Sequence, residues 1–327
     1  MKLRIEPVIK PALCILGGTG FVGHHLANAL IEQGYRVKIL TRRRERYREL
    51  LVLPCIDVIE ADIHNPEVLR SQFVGCDAVI NLVAILNETR RGDFKAVHVE
   101  LPKKISQACL ASGVKRLLHM SALNAHTDQG KSRYLRSKGE GEDLAHATAG
   151  RGLQVTSFRP SVIFGPGDHF FNRFAELLKG IPFALPLACP DARFSPVYVG
   201  DVAGVFIRAL NNRATIGQRY DLCGPHVYTL QQLVEYTAYI LGLRRKIIRL
   251  GKGLSQIQAG IMQYLPGKLL TYDNYLSLQI DSICRKKLPE FFDLHPRSIE
   301  EIVPSYLLDD NERGSLNGYR RRSRHDA

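Results

Sequence analysis

The stretch Ala12-Leu13-Cys14-Ile15-Leu16-Gly17-Gly18-Thr19-Gly20-Phe21-Val22-Gly23 decides how the rest of the chain is read. Ala12–Leu16 is a short apolar run that fits a buried strand, and Phe21 opens a helical pattern reaching Gln33. Between them Gly17, Gly20 and Gly23 are spaced G-x-x-G-x-x-G. A tight strand-to-helix turn needs a residue without Cβ. A pyrophosphate needs bare backbone N–H groups, and the helix must pack close to the strand. The positive end of the helix dipole then faces the phosphates. Gly17, Thr19, Gly20, Phe21, Val22 and Gly23 are therefore expected to hold a dinucleotide. Glycine spacing alone also suits an ordinary turn; the strand before it and the helix after it favour the ligand.

Outward from this turn the pattern alternates. Apolar runs at Ala12–Leu16, Arg36–Thr41, Asp57–Ala61, Ala78–Leu82, Arg116–Met120 and Gln154–Arg159 read as buried parallel strands. Helical stretches lie near Phe21–Gln33, Pro66–Phe73, Val99–Ser112 and Tyr134–Ala149, three of them followed by Gly34, Gly75 and Gly113. This predicts an α/β fold with a doubly wound parallel sheet. Past Arg159 the prolines 160, 166, 182, 186, 190 and 196 mark connections, and Thr229–Leu241 and Leu254–Leu265 read as later helices, the second closed by Pro266-Gly267. The expected organisation is a dinucleotide-binding domain over 1–160 with returning segments from 190–225, a smaller substrate lobe over 161–308, and a disordered basic tail over 309–327.

Composition sets outer bounds. Of 327 residues, 45% are hydrophobic and 24% charged, the mix of a globular protein able to bury a core. No apolar run approaches the roughly 18 residues of a spanning helix. Lys2, Arg4 and Lys10 precede an apolar run too short for a signal core, so that run is read as a strand. The seven cysteines form no Cys-x-x-Cys pair and no zinc spacing, which points to reduced, packed thiols and a cytoplasmic setting, with no metal site. The net charge of +13, partly gathered at Arg42–Arg48 and Arg320–Arg324, favours anionic partners. No nucleic-acid motif accompanies it, and a peripheral position at the inner face of a membrane is the second setting.

The end of the second strand selects the cofactor. An acidic residue there would bind a ribose 2′-hydroxyl, whereas arginine accommodates a 2′-phosphate. The chain reads Leu40-Thr41-Arg42-Arg43-Arg44, so Arg42 and Arg43 are expected to favour NADP(H) over NAD(H). The competing reading is a solvated basic helix start. Farther on, Tyr134 and Lys138 form Tyr-x-x-x-Lys, one helical turn apart. An ammonium beside a phenol favours the phenolate, so Lys138 is expected to lower the Tyr134 pKa. Tyr134 would be the general acid–base, and Lys138 would also reach the nicotinamide ribose.

Taken together, Gly17–Gly23, Asp62, Tyr134 with Lys138, Arg159–Asp168 (RPSVIFGPGD) and Phe194–Ala203 (FSPVYVGDVA) resemble the extended short-chain dehydrogenase/reductase superfamily and its Rossmann fold. Tyr134–Asp143 (YLRSKGEGED) and 270–284 resemble one atypical subgroup within it. That subgroup holds the nucleotide-binding accessory subunit of respiratory complex I, its bacterial relatives and a protein of coenzyme Q biosynthesis. The resemblance implies that Asp62 and Ile63 meet the adenine, and that Asn81, Leu82, Val83 and Ala84 line the cofactor cleft. It also implies a small-molecule substrate and a membrane-associated respiratory or quinone-synthesis complex as partner.

Two departures bear on catalysis. Leu123 stands where superfamily enzymes carry a serine or threonine, with Ser121 capping the strand end, and His98 stands where an asparagine is usual. Three functions follow: an NADP(H)-dependent oxidoreductase, a cofactor-holding structural subunit, and a nucleotide-sugar epimerase or dehydratase. Leu123 counts against the last. His24 and His25 are read as helix surface, Asp168-His169 as a loop over the cleft, and Asp273 with Asp281 as lacking further metal ligands.

Overall fold

The computed structural model describes residues 11–47, 50, 54–264, 268 and 270–308. The expected tail over 309–327 and the Pro266-Gly267 helix stop lie outside the described residues. The chain divides into two units, one of Met1–Ser121, Ser137–Phe158 and Ala203–Tyr220, the other of Ala122–Arg136, Arg159–Val202 and Asp221–Ala327.

The first unit is built on a parallel sheet. Its strands are β1 (Ala12–Leu16), β2 (Arg36–Thr41), β3 (Ile56–Glu60), β4 (Ala78–Asn81), β5 (Arg116–Met120) and β6 (Gln154–Pro160). With β11 (Arg219–Leu222), a seventh strand that the alternation did not separate from the later segments, they run in the order β11, β6, β5, β4, β1, β2, β3. The register is in phase and parallel throughout, with Leu16 opposite Leu40 and Asn81, and Thr41 opposite Glu60. Strands covered on both faces carry near-continuous apolar runs, which is why they were visible in the sequence. Every residue of β4 and β5 is buried.

The crossover helices are α1 (Phe21–Glu32), α2 (Pro66–Phe73), α3 (Leu101–Ser112) and α4 (Arg133–His146). Gly34, Gly75 and Gly113 have φ of 80°, 76° and 78°, the left-handed geometry expected after these helices. Helix α3 starts later than its periodicity implied. A wide π-helical turn over Lys95–Glu100 precedes it and turns His98 into the interior. The buried Arg116 ties β5 to its surroundings, donating to Thr156 Oγ1 at 2.8 Å, the Ala209 carbonyl at 2.9 Å and Thr215 Oγ1 at 2.7 Å.

The second unit is made of shorter pieces. It contains β7 (Ile163–Phe164), α5 (Phe171–Gly180), β8 (Ala184–Leu187), β9 (Arg193–Phe194), β10 (Val197–Tyr198), the first turn of α6 (Val199–Asn211), β12 (Tyr228–Thr229) and most of the sequence after Asp221. Its core gathers Phe164, Phe171, Leu178, Leu187 and Phe194 with Leu233 and Val234 of α7 (Leu230–Ile240). Helix α7 starts on a capping box between Thr229 and Gln232. Asp168 is a knot of this core and accepts hydrogen bonds from the N–H groups of Gly165, Phe170 and Asn172 and from the Tyr306 hydroxyl at 2.7 Å. The reading of all cysteines as reduced is corrected here: Cys223 and Cys284 form a disulfide with a Cα–Cα distance of 5.9 Å. These two cysteines are 61 residues apart, and only the fold brings them together. Cys14, Cys55, Cys76, Cys109 and Cys189 are thiols.

Candidate functional site

The three glycines of the turn serve different ends. Gly17 has φ +80°, and a Cβ there would press on the Leu82 and Val83 backbone at 3.1 Å. A Cβ on Gly23 would collide with the Gly17 carbonyl oxygen and lie 2.5 Å from Gly18 Cα. Both are therefore required by the chain's own packing. Gly20 is not: its φ of −83° and ψ of 176° suit any residue, and its Cβ would meet only the Gly17 oxygen, at 3.3 Å. Gly20 is exposed and is the N-cap of α1, yet no side chain caps that helix. The first-turn N–H groups are thus left to water or a ligand. A bare N-terminus beside an exposed glycine of extended backbone is the donor set that a pyrophosphate requires.

The neighbouring strand ends carry the other expected contacts. Arg42 and Arg43 follow β2 and are exposed. A carboxylate does reach this corner, from a different strand. Glu60, opposite Thr41 in the register, accepts from the Arg44 backbone N–H through Oε2 at 3.1 Å. Asp62 follows β3, exposed, with Oδ1 accepting from the His64 N–H at 2.9 Å, while Ile63 is buried in the core beside Leu16 and Leu40. After β4, Leu82 is buried, Val83 half-buried and Ala84 exposed. Asn81 was read only as cleft lining, but it holds this corner in place. Its Oδ1 accepts from Val83 N–H at 3.1 Å and its Nδ2 lies 3.1 Å from His119 Nδ1.

Beneath these strand ends lies a buried polar layer. Lys138, 2% exposed, donates from Nζ to the Met120 carbonyl at 2.7 Å. Burial brings its pKa down to about 8, with Glu142 acting in the opposite direction. Ser121 does not simply end its strand: its hydroxyl donates to Glu142 Oε2 at 3.1 Å, and Arg219 Nε lies 3.7 Å from the same carboxylate. His98 accepts from the Ile85 N–H through Nε2 at 3.1 Å, which leaves the proton on Nδ1, 2.9 Å from Ser137 Oγ. Burial, with the Lys138 charge nearby, pushes His98 from the usual 6.5 down to about 3.

This shift has a signed consequence for stability. The folded protein keeps His98 neutral where the unfolded chain takes up a proton. Its contribution is therefore full above about pH 6.5 and is lost as the pH falls toward about 3, at up to about 1.4 kcal/mol per pH unit. Urea unfolding measured from pH 7 to pH 4 is expected to show a shallower pH slope in His98→Gln than in wild type. Equal slopes would contradict the assignment.

Tyr134 is half-buried on the first turn of α4, four residues before Lys138. The expected lowering of its pKa is not found. Burial raises the phenol to about 12, because desolvation penalises the phenolate. The start of this helix is fixed by a residue that spacing could not single out. The Asp273 carboxylate accepts from the Arg133 N–H at 2.8 Å and the Tyr134 N–H at 3.0 Å, while Ser132 Oγ accepts from Leu135 N–H at 3.1 Å. Asp281, paired with Asp273 in the sequence reading, forms an ion pair with Arg193 at 2.7 Å. Leu123 is buried and offers no hydroxyl. Among the described residues no cluster of His, Cys, Asp or Glu could hold a metal ion, and no helix is long and apolar enough to cross a membrane.

The model of the NAD dependent epimerase/dehydratase family matches residues 13–223. NADH dehydrogenase (ubiquinone) 1 alpha subcomplex subunit 9 of Mus musculus, a mitochondrial protein, is 33% identical over 229 residues, 68% of this chain and 59% of the mouse protein. The chain thus spans about three fifths of the length of that relative. A ceramide reductase of Caulobacter vibrioides is 27% identical over 244 residues, 74% of each chain. Among solved structures, the dTDP-glucose 4,6-dehydratase of Streptomyces venezuelae, crystallised with NAD, superimposes with a TM-score of 0.71 at 20% identity, covering 92% of this chain and 97% of that one.

Proposed function

We propose an NADP(H)-linked oxidoreductase role for this chain, which belongs to the NAD-dependent epimerase/dehydratase family. The observation that carries the reading is Gly20 at the bare N-terminus of α1, an exposed glycine of extended backbone at which a Cβ would meet one atom, the Gly17 oxygen. A dinucleotide bound there would lay its pyrophosphate on the first-turn N–H groups, with the remaining length crossing the ends of β2, β3 and β4. Asp62 and Ile63 would meet the adenine, and Leu82, Val83 and Ala84 the middle of the cofactor. The nicotinamide, when bound, supplies or accepts hydride. The chain's own residues do the rest: Tyr134 carries the proton for the substrate oxygen, and Lys138 holds the ribose. A phenol raised to about 12 is a proton donor at neutral pH, which suits reduction of a carbonyl to an alcohol. The second unit is assigned as the substrate lobe.

The likeness to complex I subunits supports a place at a respiratory or quinone-linked assembly, peripheral to a membrane. A second reading, a cofactor held for structure alone, is favoured by one feature. Leu123 leaves the developing oxyanion without the hydroxyl that most superfamily enzymes provide. The same feature weighs against sugar-nucleotide epimerase chemistry.

Cofactor choice is testable directly. NADPH is expected to bind about one to two decades more tightly than NADH, since a charge-assisted phosphate contact contributes roughly 1.5–3 kcal/mol. Arg42→Ala should erase most of that margin. Glu60→Gln should widen it, because a carboxylate beside Arg44 repels a 2′-phosphate. Nicotinamide fluorescence titration reads both. Equal affinities, unchanged by either variant, would refute the 2′-phosphate assignment.

A further inference from the structure

Helix α8 (Lys252–Met262), in the second unit, is amphipathic the wrong way round for a core helix. It buries Ser255 and Ala259 and packs against the short helix Tyr272–Ser277. Ser255 Oγ accepts from the Cys189 N–H at 3.2 Å, and Gln258 Nε2 donates to the Pro186 carbonyl at 3.0 Å. On the opposite side, Leu254, Ile257, Ile261 and, just past the helix, Tyr264 are 59%, 58%, 62% and 84% exposed. Their spacing of three, four and three residues makes one continuous stripe. Nearby in the same unit, Phe183 is 82% exposed, and its carbonyl accepts from the Lys246 N–H at 3.1 Å. Ile248 of β13 (Lys246–Arg249) is also exposed. An outward apolar stripe of this kind marks a surface that something covers.

The charge around it says what. Residues 236–272 contain Arg244, Arg245, Lys246, Arg249, Lys252 and Lys268 and not one aspartate or glutamate. Arg249 is held by Asp191 at 2.6 Å and Arg245 by the Leu178 carbonyl at 3.2 Å, whereas Arg244, Lys246 and Lys252 are exposed on the surface. Apolar side chains pointing outward within a purely cationic segment fit the boundary of a bilayer rich in anionic headgroups. A protein partner's groove would need carboxylates set against each cation. A bilayer supplies negative charge and hydrocarbon together.

We infer that α8, with Phe183 and the β13 cations, is the surface by which this protein lies on an anionic membrane, the side chains of Leu254, Ile257, Ile261 and Tyr264 entering the headgroup–acyl boundary. The inference rests on the peripheral membrane placement proposed above and names the surface responsible.

The test is co-sedimentation of the full chain with vesicles of phosphatidylcholine alone or mixed with phosphatidylglycerol. Wild type is expected to pellet with the mixed vesicles, release with added salt, and ignore the neutral ones. The triple variant Leu254→Ser/Ile257→Ser/Ile261→Ser should bind at least about tenfold more weakly. Lys246→Gln/Lys252→Gln should weaken binding by roughly fivefold per charge. The replaced side chains are exposed, so both variants should keep the wild-type melting temperature. If wild type binds mixed vesicles and the triple variant binds equally well, the surface assignment is overturned while the peripheral placement stands. If wild type binds neither vesicle, both fall. A wild-type dimer that the triple variant dissociates, without vesicle binding, would make α8 a self-association face and overturn the inference.

Discussion

Gly20→Val is expected to abolish dinucleotide binding while leaving the fold in place. The backbone at Gly20 is extended, so a β-branched residue fits its φ and ψ, and its Cβ would meet a single atom, the Gly17 carbonyl oxygen at 3.3 Å, so the turn has to give by a few tenths of an ångström. What the added atoms occupy is the approach to the α1 N-terminus, where a pyrophosphate must come within hydrogen-bond distance of backbone N–H groups. NADPH should raise the melting temperature of wild type and leave that of the variant unchanged, since such stabilisation requires binding to the native state. Neighbouring glycines provide the contrast. Gly23→Ala should disturb the fold itself, because its Cβ collides with the Gly17 carbonyl, and Gly17→Ala should cost about 1–2 kcal/mol for its left-handed φ. If Gly20→Val were stabilised by NADPH as much as wild type, the pyrophosphate would lie elsewhere.

Tyr134→Phe is expected to lower turnover by about 10²–10⁴-fold with little change in cofactor affinity, the range of a positioned acid–base group. The substitution keeps the ring, and Asp273 holds the helix start through backbone N–H groups, so geometry should survive. Lys138→Met should weaken both binding and turnover. Because burial sets Lys138 near 8, the wild-type rate should fall as the pH rises past that value, while the phenol, near 12, stays protonated throughout. Oxidation of NADPH against a panel of quinones and carbonyl compounds is the measurement. Turnover undiminished in Tyr134→Phe would refute the catalytic role. No turnover on any compound, with loss of stability when nucleotide is removed, would favour the structural reading.

Much of the first unit was legible because parallel strands buried on both faces cannot hide their composition. Ala12–Leu16, Arg36–Thr41 and Arg116–Met120 have the bounds their apolar runs imply, and the glycines after α1, α2 and α3 mark positive φ. The π-helical turn at Lys95–Glu100 was not legible, since one added residue in a turn leaves no periodic signature. Nor were the two-residue strands of the second unit, too short to show alternation.

The candidate site divides the same way. Its glycines, arginines, tyrosine and lysine announce themselves by spacing within about one turn or strand. The groups that hold them do not. Asn81 meets His119 across 38 residues and Asp273 meets the Tyr134 backbone across 139, distances over which sequence carries no local pattern. The Tyr134 phenol is shifted up, opposite to the local expectation, because burial penalises the phenolate, and burial is a property of the fold.

The central claim is that a nicotinamide dinucleotide sits on the α1 N-terminus at Gly20. Its most direct test is to denature purified wild type and Gly20→Val after incubation with NADPH and desalting, and to identify the released small molecules by mass spectrometry. The account predicts NADP(H) in near-stoichiometric amount from wild type and none from the variant. A nucleotide sugar or nothing released from wild type, or equal NADP(H) from both proteins, would contradict it.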